Sequence, residues 1–201
     1  MSGSFPTSPK FRALDFTNKR PVLMDHTLSG KRSVRQIGAQ YFQFTVDMPP
    51  MNQDDAMDIF AFLQKQKGGF ENFTIQLPTQ NRGADKSNSS VVVNGAHSAG
   101  DATITIDGFS ASTSGVLKAG DLIKFAGHSK VYMVQADVDS DGTGAATVLI
   151  EPNLVATLAD NEAVTMNQPS FTVYLTSDEI LYSTDPSNFY SIQFEVREVI
   201  T

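Results

Sequence analysis

The chain has 201 residues, of which 40% are hydrophobic and 18% charged, with fourteen Phe and no Trp. That is enough apolar material for one large domain, or a domain carrying a second small one, and it excludes wholesale disorder. The net charge of −7 argues against a general nucleic-acid binder, and the absence of cysteine excludes disulfide scaffolds, Cys-ligated metal sites and thiol nucleophiles.

No apolar run approaches the roughly 18 residues of a membrane span, and Met1–Thr7 has no apolar signal core. The composition therefore predicts a soluble protein made inside the cell. Charge is uneven along the chain. Residues 1–38 hold Lys10, Arg12, Lys19, Arg20, Lys31, Arg32 and Arg35 against only Asp15 and Asp25, and the remainder is strongly acidic. Such asymmetry suits either a basic arm for nucleic acid or unlike faces that meet between identical subunits.

The first patterned element is Ala39–Met48. Phe42, Phe44, Val46 and Met48 alternate with Tyr41, Gln43, Thr45 and Asp47, the period of a half-buried strand, and Pro49-Pro50 ends it. A helix is predicted over about 53–67. Asn52 is its N-cap, Asp54 and Asp55 complement its dipole, Ala56, Ile59, Phe60 and Leu63 form its apolar stripe, and Gly68-Gly69 stops it. Phe70–Leu77 reads as the next strand. Gln80–Ser90 is polar and rich in turn formers, and reads as a linker or long exposed loop.

Beyond it, short strands are predicted at Val91–Val93, Thr103–Ile106, Leu122–Phe125, Val131–Gln135 and Thr147–Ile150, separated by glycine-bearing turns. This is the pattern of a small barrel or sandwich. Longer alternating strands return at Ser170–Leu175 and Tyr190–Val199, joined by a turn over Ser183–Asn188. In the last strand Tyr190, Ile192, Phe194, Val196 and Glu198 share a face. The expected fold is mainly β: a discontinuous β-sandwich or barrel domain with one helix (1–84 and 166–201), interrupted by an inserted small, OB-like β-barrel (85–165).

Catalytic signals are sparse. His26, His97 and His128 sit singly in turn-like contexts without a second ligand at helical or hairpin spacing, and read as surface residues. His128 with Asp121 or Ser129 makes a triad only on paper. No nucleophile elbow, Walker loop or dinucleotide fingerprint is present. Asp137, Asp139 and Asp141, followed by Gly142, repeat the first half of a calcium loop, but the twelfth position is Val148 where a bidentate glutamate is required. A solvated acidic turn explains the same letters. Phe109, Phe125 and Tyr132 read as core rather than as a stacking platform. No cofactor is expected.

Several segments resemble the phage distal tail protein (Dit) family: Phe5-Pro6, Ala39–Phe42 opening a strand, Pro49-Pro50-Met51 leading into a helix that ends Phe60-Ala61-Phe62-Leu63, Gly68–Phe73, and the closing strand Tyr190–Glu198. Residues 91–165, with Gly115–Asp121 and Ile150-Glu151-Pro152, also resemble small β modules of phage structural proteins. The resemblance implies a non-enzymatic virion protein, made in the host cytoplasm and built into the tail. There it would form a homo-hexameric ring between the tail tube protein and the baseplate hub or tip, with DNA passing through the lumen without specific binding and no membrane contact. Lys31, Arg32 and Arg35 are the candidate subunit interface. Two alternatives remain: a carbohydrate-binding tail module, and a hydrolase gathering His128 or His97 with a carboxylate.

Overall fold

The computed structural model describes residues 3–78 and 81–200. Thr79 and Gln80, at the start of the predicted linker, and Met1, Ser2 and Thr201 lie outside the described residues. The protein is mainly β with one helix. In chain order the elements are β1 (Ala13–Lys19), β2 (Val22–His26), β3 (Arg32–Gln36), β4 (Tyr41–Asp47), α1 (Gln53–Lys65), β5 (Phe73–Gln76), β6 (Val92–Val93), β7 (Thr103–Asp107), β8 (Leu122–Phe125), β9 (Val131–Val134), β10 (Ala146–Glu151), β11 (Val164–Thr165), β12 (Ser170–Leu175), β13 (Leu181–Thr184) and β14 (Tyr190–Glu198). Two compact units result. One takes in Pro6–Phe73 and Val173–Val199, and the other Gly3–Phe5, Thr74–Thr172 and Ile200.

The first unit is organised by a sheet in which β1, β4, β14 and the end of β12 follow in that order, with β13 also paired to β14. Alternation in β4 places Phe42, Phe44 and Val46 in the core, and Met48 continues the series. Strand β14 answers with Ile192, Phe194, Val196 and Glu198 buried, in antiparallel register with β4 through Phe194↔Val46 and Val196↔Phe44. Glu198 is buried, and its Oε2 accepts the Phe42 N–H at 3.1 Å.

Helix α1 begins as its sequence dictates. Asn52 Oδ1 accepts the Asp55 N–H at 2.9 Å, Asp54 and Asp55 lie in the first turn, and Ala56, Ile59 and Leu63 are buried. Phe60 is only half-buried, because its ring turns edge-on to Tyr182, 5.2 Å between centroids. The helix stops at Lys65, and the chain turns back through Lys67 (φ 53°) and Gly68 (φ 65°) in left-handed conformation. The predicted strand from Phe70 therefore starts only at Phe73, leaving Phe70 80% exposed.

The second unit is a barrel. Its sheet runs β11-β8-β9-β10-β7-β6. The two ends of that order meet: Val93 N–H donates to Glu162 O, Asn161 N–H to Val93 O and Val164 N–H to Val91 O, at 2.9–3.0 Å. Closure removes exposed edges. Ile104, Ile106, Val116, Ile123, Phe125, Tyr132, Val148 and Ile150 fill the interior. Phe109, Phe125 and Tyr132 are all buried there, as core residues.

The segment read as an exposed linker is partly built into this barrel. Asn81 is buried, donates to Leu122 O and Met166 O at 2.7 and 2.8 Å, and accepts the Leu122 N–H at 2.9 Å. The Asp121 carboxylate accepts the N–H groups of Arg82, Gly83 and Lys118. Gly83 admits no side chain, since a Cβ there would lie 2.2 Å from Val116 O.

Candidate interaction surface

Residues 1–38 contain charge but no strand in the sequence reading, yet the structure builds three strands there. Strand β1 joins the sheet edge beside β4, where Phe16 lies over Phe42 and Phe44 at 4.8 and 5.2 Å. Strands β2 and β3 form a separate two-stranded hairpin. Its loop is set by Thr27: Thr27 N–H donates to Lys31 O at 3.0 Å, Gly30 N–H donates to Thr27 O at 2.8 Å, and Gly30 takes φ 77°. This is a short hairpin loop closed by a left-handed glycine. At the base, Ile37 N–H donates to Pro21 O.

Every residue of both strands is exposed. Register gives the hairpin two different faces. Val22, Met24 and His26 pair with Gln36, Val34 and Arg32, and share one face; Leu23 and Asp25 pair with Arg35 and Ser33, and share the other. The first face is therefore an apolar strip of Val22, Met24 and Val34 (44%, 49% and 45% exposed) with Arg32 and His26 toward the tip. Leu28 projects fully from the loop.

The candidate interface residues Lys31, Arg32 and Arg35 do not all share one face. Lys31 closes the loop, Arg32 lies on the strip face, and Arg35 lies on the opposite face. All three are exposed. An isolated two-stranded hairpin is marginal in water, and one with an uncovered apolar strip gains stability by burying that strip against something else.

The three aspartates of the half calcium loop also have a structural use. Asp137 accepts the Ala119 N–H at 3.0 Å and Lys118 Nζ at 3.0 Å. Asp139 accepts the Gly115 N–H at 2.6 Å and the Ser114 hydroxyl at 2.8 Å. Asp141 accepts the amides of Thr143 and Ala145 and the Thr143 hydroxyl. These bonds to the charged form hold each carboxyl below its ordinary range. The Ala119 amide leads for Asp137, the Gly115 amide for Asp139 and the Thr143 hydroxyl for Asp141. At Asp85 burial works to raise the value, but bonds from Asn88 and Ser110 outweigh it. Asp85, Asp137 and Asp139 thus converge on 110–119, pinning an irregular segment that has almost no ladder of its own. Among the described residues no group of three or more His, Asp or Glu is placed to hold a metal ion.

The histidines divide. His26 is exposed on the hairpin. His128 is not a surface residue: it is buried, with Nδ1 2.8 Å from the Tyr132 hydroxyl and Nε2 3.3 Å from Thr157 O. The Tyr132 hydroxyl also accepts the Val155 N–H, so this pair fastens the 153–158 loop. Neither Asp121 nor Ser129 is among these partners of His128, so the paper triad is not assembled. His97 Nε2 accepts the Thr105 N–H, and its Nδ1 lies 3.8 Å from Asp101.

Residues 80–168 match the family described as "Distal tail protein pb9, B domain". Across 194 residues the chain is 24% identical to "Distal tail protein pb9" of Escherichia phage T5, covering 94% of this chain and 91% of the relative. The chain is similar to phage distal tail proteins. Both matches are to phage tail proteins. The signals that carried the resemblance, the β4 alternation, the capped helix and the closing strand, all form the framework of the first unit. The β2–β3 hairpin carried none of it.

Proposed function

We propose that this chain is a structural virion protein that assembles into a homo-hexameric ring joining the tail tube to the baseplate or tail tip. In this reading residues 1–84 and 166–201 make the ring, and 85–165 form an inserted barrel fastened at its entrance by Asn81. The ring acts by geometry rather than by chemistry, and an acidic chain lining a channel does not retain DNA passing through it.

The observation that carries the reading is the β2–β3 hairpin. It is a basic arm with an uncovered apolar strip, on a chain whose other residues are strongly acidic. Such an arm fits a heterologous contact between identical subunits, which closes into a ring when the rotation suits. Native mass measurement and electron microscopy of the purified protein, alone and mixed with tail tube protein, test it. Particles near six times 21.8 kDa and six-fold annuli are expected. A monomer under every condition overturns the proposal.

A further inference from the structure

The hairpin needs a receptor surface, and the first unit carries one of opposite character. Residues 176–189 are exposed throughout except for half-buried Ile180. They include β13, which among the described residues pairs only with β14 and so leaves one edge open. Leu181, Tyr182 and Phe189 are 75%, 40% and 47% exposed. The charged residues of this stretch are Asp178, Glu179 and Asp185, with no Lys or Arg among them.

The surface is also held in shape. Tyr182 packs edge-on against Phe60 and lies 5.7 Å from Tyr190. Asp185 Oδ1 accepts the amides of Ser187 and Phe189, fixing the turn. A rigid aromatic anchor loses little entropy when a partner covers it.

We infer that the acidic, apolar β13 edge (176–189) is the docking surface for the basic β2–β3 hairpin of a neighbouring copy of this chain. The inference rests on the ring reading and names its contact. The strip of Val22, Met24 and Val34 covers Leu181, which pairs with exposed Gln193 on the face of β13 opposite Tyr182, and excludes water from it. Arg32 and Lys31 bring positive charge to a segment that is wholly negative. Each copy uses each surface once, so the contact is head-to-tail, and the like charges of two hairpins disfavour hairpin-to-hairpin pairing.

The chain has no cysteine, so introduced thiols report the contact cleanly. Val34→Cys and Leu181→Cys variants are mixed, oxidised and run without reductant. The expected result is a 34–181 disulfide dimer, exceeding the product of Val34→Cys with Leu149→Cys, a control at an exposed position on β10. Leu181→Asp is expected to weaken assembly at least tenfold while the thermal midpoint of the monomer is unchanged. If the wild type assembles, yet 34–181 linkage does not exceed the control and Leu181→Asp assembles normally, this contact is overturned and the ring stands. If the wild type never assembles, the ring and this contact fall together.

Discussion

Glu198 and Phe42 stand 156 positions apart in sequence, and the carboxylate of one accepts the backbone N–H of the other inside the sheet, at 3.1 Å. The bond ties β14 to β4 and places a carboxyl group where alternation would otherwise demand an apolar side chain. Glu198→Ala removes the acceptor and leaves a buried amide unsatisfied, which costs about 1–3 kcal/mol. Glu198→Gln keeps a carbonyl acceptor and should recover part of the loss. Urea unfolding of both variants checks the order.

Tyr132 is the corresponding point in the barrel. Its hydroxyl bonds His128 Nδ1 and the Val155 N–H. Tyr132→Phe keeps the ring packing and strips both bonds, a loss of about 1–3 kcal/mol. The denaturant midpoint should fall, and amide exchange should quicken first around Val155.

Acid should loosen the 110–119 segment only once pH falls below the ordinary aspartate range. Each of Asp85, Asp137 and Asp139 has a folded pKa below its ordinary value of 3.8. A depressed carboxylate contributes stability above its unfolded pKa and loses it as pH falls through the folded one. The segment is therefore insensitive to pH from neutrality down to about 5, loses stability as pH falls past the free-aspartate midpoint of about 3.9, and is released below that. Amide resonances of Gly115 and Ala119, followed by NMR, should titrate with midpoints under 3.8. Asp139→Asn should abolish the Gly115 step.

Charge reversal on the hairpin separates its faces. Arg32 shares the apolar strip with Met24 and Val34, whereas Arg35 lies opposite. Arg32→Glu should weaken assembly more than Arg35→Glu, and both effects should shrink at high salt as screening removes the attraction. Being exposed, both substitutions should leave monomer stability within about 0.5 kcal/mol. Sedimentation velocity at low and high salt reads both effects.

Much of this protein was legible from local pattern. The period-two run of β4, the Asn52-capped helix, the closing strand with Glu198 on its buried face, and the barrel strands β7 to β10 each carry their signal within a few residues, because burial of one face imposes periodicity. The hairpin β2–β3 and the edge strand β13 carry no such signal. The hairpin's own chain covers neither of its faces, and β13 is covered only where Tyr182 meets Phe60, so apolar and charged residues fall on both sides and no amphipathic period develops. Residues 81–83 misled for the opposite reason: Asn81 and Gly83 have the letters of a loop, and only the fold turns a polar amide into a staple between Leu122 and Met166. The three aspartates at 137, 139 and 141 show the same division, since sequence fixes their spacing but not what their oxygens meet. The amino-acid order thus decided which strands and helix exist and which faces they bury. Tertiary structure decided which polar groups are satisfied internally and which apolar surfaces stay uncovered, because both depend on partners far away in the chain.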